Sequence, residues 1–332
     1  MTEGSGRMAE EAAEAAAART SRAARPEGTV PGGGGKPEET RGAADAEAVE
    51  LRCRGVAVAS WRAGADVPPD LSPRPYLHPV RTLGGTVVTE VYPADHPHHL
   101  GVGVAVPDID GTSFWGGTTF VRDRGPVLLD NHGRQEHRAW TRAGESRRTE
   151  RVAWLNRTGA ELCEEVRETA AVDLDARAWA LCLRSRLRNT SGRELEVNSP
   201  ATKGRPGAGY GGYFWRAPKE AEPPRCLGPE QEGETALHGS RSPWLALFGG
   251  SSPDTRWTLV FAAVGPERDP WFLRAREYPG VGAALVWDTP LRFAQDAEID
   301  RHVVTVVADG HLSPSEEIPV LVARAEAAAA AD

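Results

Sequence analysis

From Val49 onward the chain is written in short runs of β-branched and aromatic residues, many alternating apolar with polar, each closed by Gly, Pro, Asp or Asn. A period of two marks a strand half buried in a sheet, and frequent turn residues keep such strands short enough to fold back on one another. The clearest runs are 86–91, 179–187, 257–264, 283–287 and 302–307. In the second, Trp179, Leu181, Leu183, Ser185 and Leu187 share one face and Arg184, Arg186 and Arg188 the other, as a sheet with one wet side requires. No amphipathic helices alternate with these runs, which disfavours a doubly wound parallel sheet. The expectation is an all-β fold, a large antiparallel β-sandwich over 48–332, closed by a short helix at 319–331 with Pro319 in its first turn.

The segment 1–47 is built from Ala, Glu, Gly, Arg and Pro with almost no large apolar residue, so it cannot offset its ordering entropy and is expected to be a disordered tail. Its stretch 8–24 has helix propensity without an apolar stripe, and 32–35 is a run of glycines suited to a flexible linker. The formal charge is −8, with no basic run, which argues against a nucleic-acid partner. No apolar stretch approaches the roughly 20 residues of a membrane span, and Glu10, Glu11 and Glu14 are wrong for a secretory signal, so a cytoplasmic protein is expected. Cys53, Cys163, Cys182 and Cys226 form no CxxC pair and read as reduced packing residues. The ten tryptophans include Trp154, Trp179 and Trp257 in strand-like runs, where sheet packing is the simplest role.

Three clusters could carry chemistry. The first is Asp95-His96-Pro97-His98-His99-Leu100-Gly101, which holds three of the nine histidines. Pro97 biases His96 toward extended backbone, which would aim His96 and His98 one way and His99 the other. Imidazoles so displayed can act as acid, base or metal ligand; a turn whose histidines bond only the backbone is the competing reading. The second is Asp130-Asn131-His132-Gly133-Arg134, following Ser113-Phe114-Trp115-Gly116-Gly117, where the tight-turn residues around His132 suit display on a rigid sheet or an ordinary hairpin tip. The third runs from Gly207 to Arg216 and sets glycines beside Tyr210, Tyr213, Phe214 and Trp215, which suits a polar ring ligand or close strand packing. No GxSxG elbow, HExxH helix, EF-hand loop or phosphate-binding glycine loop is present, and no local motif supports a cysteine nucleophile.

Together the segments 76–81, 94–101, 110–117, 131–133 and 209–216 resemble the bacterial PmoA-like family of uncharacterised proteins, over a span from about Tyr76 to the Asp309-Gly310 turn. The family's label, methane oxygenase, implies a multi-span membrane subunit, which a chain without an apolar span does not fit. The resemblance implies instead a fold similar to the galactose mutarotase supersandwich and a sugar-catabolic setting. Mutarotase-like enzymes use a histidine acid and a carboxylate base on a shared sheet face. By that implication His98, His99 and His132 are candidates for the imidazole role, and Asp95, Glu277 and Asp288 for the carboxylate.

The reading that combines these clusters is an enzyme acting on a carbohydrate or carbohydrate-derived ring by acid and base chemistry. Its catalytic candidates are His98, His99 and His132, and its substrate-binding candidates are Arg81, His96, Trp115, Arg134, Tyr210, Trp215 and Arg216. A non-catalytic sugar-binding or regulatory module is the rival from another class, and a metal enzyme built on His96, His98, His99 and His132 is a third. The ligand expected is a small carbohydrate. Ligand spacing assigns no metal, and no motif implies a cofactor.

Overall fold

The computed structural model describes residues 49–331, so the readings for the segment 1–47 lie outside the described residues. The chain folds as a large antiparallel β-sandwich. One sheet has seven strands. Its consecutive neighbours β1 (Val49–Cys53), β2 (Val56–Arg62), β3 (Tyr76–Val80) and β4 (Val102–Ala105) are followed by β13 (Gly212–Arg216), β18 (Gly280–Ala284) and β17 (Trp271–Arg274). Small ladders decorate it: β5 (Asp108–Ile109) joins β12 (Leu195–Asn198) and β19 (Leu291–Phe293), and β6 (Thr119–Val121) pairs with β7 (Gly125–Val127).

The other sheet has eight strands. Its order begins β14 (Arg225–Leu227), β15 (Trp244–Gly249), β16 (Trp257–Ala263), β20 (Glu298–Asp309), and continues β11 (Ala178–Asn189), β10 (Glu161–Asp173), β9 (Arg147–Leu155), β8 (Arg134–Ala143). Two α-helices, α1 (Glu234–Leu237) and α2 (Glu317–Ala330), and two single 3-10 turns, Pro69–Leu71 and Pro253–Thr255, complete the described elements.

Period-two alternation explains which side chains fill the space between the sheets. Trp179, Leu181, Leu183 and Leu187 of β11 point into that core with Trp154, Trp215, Trp257 and Trp271, all buried. The opposite face of β11 is not uniformly wet. Arg184, Arg186 and Arg188 form ion pairs with Asp300, Glu168 and Asp296, but Ala180 and Cys182 are covered by α2. Helix α2 presents Ile318, Leu321, Val322, Ala325 and Ala329 along one stripe to small side chains of β11, β16 and β20. Strands buried on both faces lose their alternation, which is why β15, β16 and the second half of β20 read as continuous apolar runs.

One expected strand is replaced by isolated bridges and another is shifted. Residues 86–91 form no ladder strand; they run extended with isolated bridges from Val87 to Arg81 and from Val91 to Leu100. The run expected at 283–287 is centred earlier, because β18 ends at Ala284 and Trp287 lies in the following loop. All four cysteines are buried and none is in a disulfide.

One polar network crosses the core. The buried Glu165 carboxylate accepts hydrogen bonds from Trp154 Nε1 at 2.9 Å, Ser185 Oγ at 2.7 Å and Arg167 Nε and Nη2 at 2.9 and 2.7 Å. Arg167 also donates to the Pro75 carbonyl and to Gln135, whose amide donates to the Val104 carbonyl of the facing sheet.

Candidate functional site

The three neighbouring histidines converge, contrary to the extended geometry expected of 95–99. Consecutive tight turns close this segment, with His96 N–H donating to the Pro93 carbonyl at 3.0 Å and His99 N–H to the His96 carbonyl at 2.9 Å. The rings of His96 and His99 stack at 4.7 Å and 11°, and His98 meets both edge-on, at 5.7 and 4.7 Å. Gly117 (φ +71°) lets the neighbouring loop approach, since a Cβ there would lie 2.8 Å from His98 Nδ1. Arg74 ties the two loops together from below by donating to the His98 carbonyl at 2.6 Å and the Trp115 carbonyl at 3.1 Å. Burial, and then the Arg167 charge, lower its pKa to about 9.

The outer face of the seven-stranded sheet supplies the floor. In β13, Tyr213 and Trp215 point into the core, so Phe214 and Arg216 point out beneath the histidines. Cross-strand register sets Arg216, Gly280 and Arg274 in one row and Phe214, Gly282 and Phe272 in the next. Gly280 leaves room for the Tyr278 ring, because a Cβ would stand 2.8 Å from Tyr278 Cε2. That ring lies 4.8 Å from the Arg216 guanidinium carbon and 4.5 and 5.1 Å from the His96 and His99 rings.

Arg216, wholly buried, organises the charges. It pairs with Glu90 at 3.0 Å and Asp95 at 3.4 Å, and its Nη1 lies 3.3 Å from His99 Nδ1. A guanidinium can only donate, so His99 Nδ1 accepts and the ring proton sits on Nε2. Burial, reinforced by the charges of His98, His96, Arg216 and Arg74, holds the His99 pKa well below the usual imidazole value. His99 is therefore a neutral donor at physiological pH. Burial by itself would raise the Asp95 pKa, but contact with His96 at 3.2 Å and the Arg216 charge outweigh it and keep the carboxyl well below the usual range.

Above this floor opens a small cleft of about 40 Å³. Trp115, Tyr210, Phe272 and Tyr278 form its aromatic walls, and His96, His98, His99, Arg205, Arg274 and Glu277 its polar lining. Trp115 and Tyr210 pack at 4.6 Å. Such a mixture can hold a polar ring by its faces while titratable groups reach its edge. A larger open groove runs beside the end of α2, but Arg184 pairs there with Asp300, and Arg301 with Glu267 and Asp269, so much of its charge is already neutralised.

Of the residues expected at a site, His96, His98, His99, Trp115 and Tyr210 line this cleft, with Arg216 beneath it. His132 is not in its lining; its Nε2 lies 2.8 Å from the Gly117 carbonyl, so it braces the loop that faces His98. Trp215 is fully buried in the core and bonds the Val88 carbonyl, so it is no platform for a ligand. Arg81 sits in the 81–87 turn and Arg134 pairs with Glu136 on β8, both outside the lining. Among the carboxylate candidates, Glu277 lines the cleft, Asp95 stands behind His96, and Asp288 bonds Thr289 in its own loop. Arg205, Arg274, Phe272 and Tyr278 were not singled out from sequence. The one pointer to Arg274 is its place two residues after the buried Phe272 in β17, on the same face of the strand. Among the described residues, no three His, Cys, Asp or Glu side chains are disposed to hold a metal ion. Parallel stacking of His96 and His99 has a similar consequence, since in-plane lone pairs on stacked rings cannot meet at one point.

The model of DUF6807, a family of unknown function, matches residues 48–322. The chain belongs to this family. No curated protein matches this DUF6807 chain. Among solved structures it is similar to the crystal structure of a heparan sulfate lyase HepC mutant from Pedobacter heparinus, at 8% identity and a TM-score of 0.26. That match covers 54% of this chain and 22% of the lyase chain, so the DUF6807 chain spans less than a quarter of that protein's length. So low a score carries no argument about activity. No helix among the described residues is long and apolar enough to cross a membrane.

Proposed function

We propose that the cleft binds a carbohydrate or carbohydrate-derived ring and acts on it by imidazole and carboxylate acid–base chemistry. The observation that carries this reading is the convergence of His96, His98, His99 and Glu277 between aromatic walls in one cleft. Tyr210, backed by Trp115, takes an apolar CH face of the ring. Glu277 serves as base toward a ring or anomeric hydroxyl, and His98 gives a proton to the departing or ring oxygen. His99, held as the Nε2–H tautomer, donates a hydrogen bond without changing its charge.

This division of labour agrees with what the resemblance to the PmoA-like proteins and the mutarotase supersandwich implies, and both belong to the proposal. A cytoplasmic setting is part of it too, supported by four buried cysteines outside any disulfide.

Saturation-transfer NMR with a panel of pyranoses and pyranose acids tests the reading. Ring protons of at least one compound are expected to receive saturation, and Tyr210→Ala is expected to weaken its binding roughly threefold to tenfold through lost stacking. Binding that is indifferent to Tyr210→Ala, or no binding by any ring, would count against the cleft. Binding without turnover would favour the non-catalytic module.

A further inference from the structure

Arg216 and Arg274 stand in the same cross-strand row, yet their surroundings differ. Arg216 is wholly buried and has Glu90 and Asp95 as counter-charges. Arg274 lines the cleft, half-buried, and the partners that hold it are neutral. Its Nη1 donates to the Leu273 carbonyl at 2.9 Å and to His238 Nδ1 at 3.2 Å, and its Nη2 lies 3.4 Å from the Gly207 carbonyl. Its guanidinium carbon stands 4.7 Å from the Phe272 ring centre. His238 supplies no counter-charge, because its Nδ1 also accepts the Leu273 N–H, which leaves the ring proton on Nε2 facing the Gly207 carbonyl.

We infer that Arg274 is the anion-reading residue of the cleft and that the ring ligand carries an oxyanion, a carboxylate or a phosphate. The inference rests on the cleft being the ligand site and adds the ligand's charge. A guanidinium has five N–H donors in a rigid fork, and the neutral acceptors use three of them. They fix the plane of the fork and leave its positive charge for the ligand. Pre-organisation of this kind removes most of the entropy that a long side chain loses on pairing, and the fork matches a planar or tetrahedral oxyanion. Arg205 and Glu277 also line the cleft.

Calorimetric titration with matched pairs at constant ionic strength tests the inference: glucuronate against glucose, galacturonate against galactose, and glucose 6-phosphate against glucose. At least one acidic member is expected to bind about tenfold or more tightly than its neutral partner, the size of a charge-assisted hydrogen bond at a partly exposed site. Arg274→Met should erase that preference while leaving neutral-sugar affinity within about threefold, and Arg274→Lys should restore part of it. Whether the uronates or the phosphate gain identifies the anion. Arg81→Met, outside the cleft, should leave the preference unchanged, and equal thermal unfolding of the Arg274 variants excludes a folding defect. Equal binding of acidic and neutral members, or a preference that survives Arg274→Met, would overturn the inference and leave the ring-binding proposal standing. Absence of binding by every member would remove both.

Discussion

Replacing Glu165 by alanine is expected to cost about 3–5 kcal/mol of folding stability, the range for breaking a buried ion pair from one side. The carboxylate is wholly buried and accepts from Arg167, Ser185 and Trp154, so its removal strands the buried Arg167 cation and two further donors. Arg167 and Gln135 also tie the eight-stranded sheet to the Pro75 and Val104 carbonyls of its partner, so the damage extends across the sandwich. Urea unfolding measures the loss. A double variant, Glu165→Met with Arg167→Met, should be less destabilised than Glu165→Ala alone, because no unpaired charge is left in the core. A loss below about 1 kcal/mol for Glu165→Ala would mean that water or another group reaches Arg167 and that the network holds the sheets together less than its geometry implies.

The second large effect concerns turnover. His98→Ala and Glu277→Gln are each expected to lower turnover of a ring substrate by about 10²-fold or more, since a positioned acid or base acts mainly in the transition state. Ligand affinity should change far less. His132→Ala is the informative contrast. Its imidazole bonds the Gly117 carbonyl and lies outside the lining, so turnover should fall by no more than a few-fold, with any loss traced to the loop beside His98. Initial-rate measurements on the panel that binds would decide it. A His132→Ala defect as deep as that of His98→Ala would return His132 to the chemistry.

Much of this architecture is legible in the sequence because burial on one face leaves a period-two trace, as in β11, where Trp179, Leu181, Leu183 and Leu187 fall on one face. The site is less legible for identifiable reasons. The motif from Gly207 to Arg216 reads as one aromatic cluster, but the pleat of β13 sends Tyr213 and Trp215 into the core and Phe214 and Arg216 toward the cleft. Every residue of β13 is buried, so no polar position marks which face is which. In 95–99 the local bias of Pro97 toward extended backbone gave way to two tight turns closed by backbone hydrogen bonds, which reversed the facing expected of His99. Arg274 enters the site through the pairing of β17 with β18 and of β18 with β13, a register set by contacts distant in sequence. The histidines were conspicuous because they are adjacent; the arginines that accompany them are gathered only by folding.

The central claim is that the histidine cleft is where the ligand sits, and hydrogen–deuterium exchange with the tightest-binding sugar or sugar acid tests it directly. Protection is expected to concentrate in peptides covering 92–100, 205–210 and 272–278, the segments that line or close the cleft. Little change is expected in the 81–87 turn or around Arg134. Protection centred instead on the groove beside the end of α2, with 92–100 unchanged, would contradict the account.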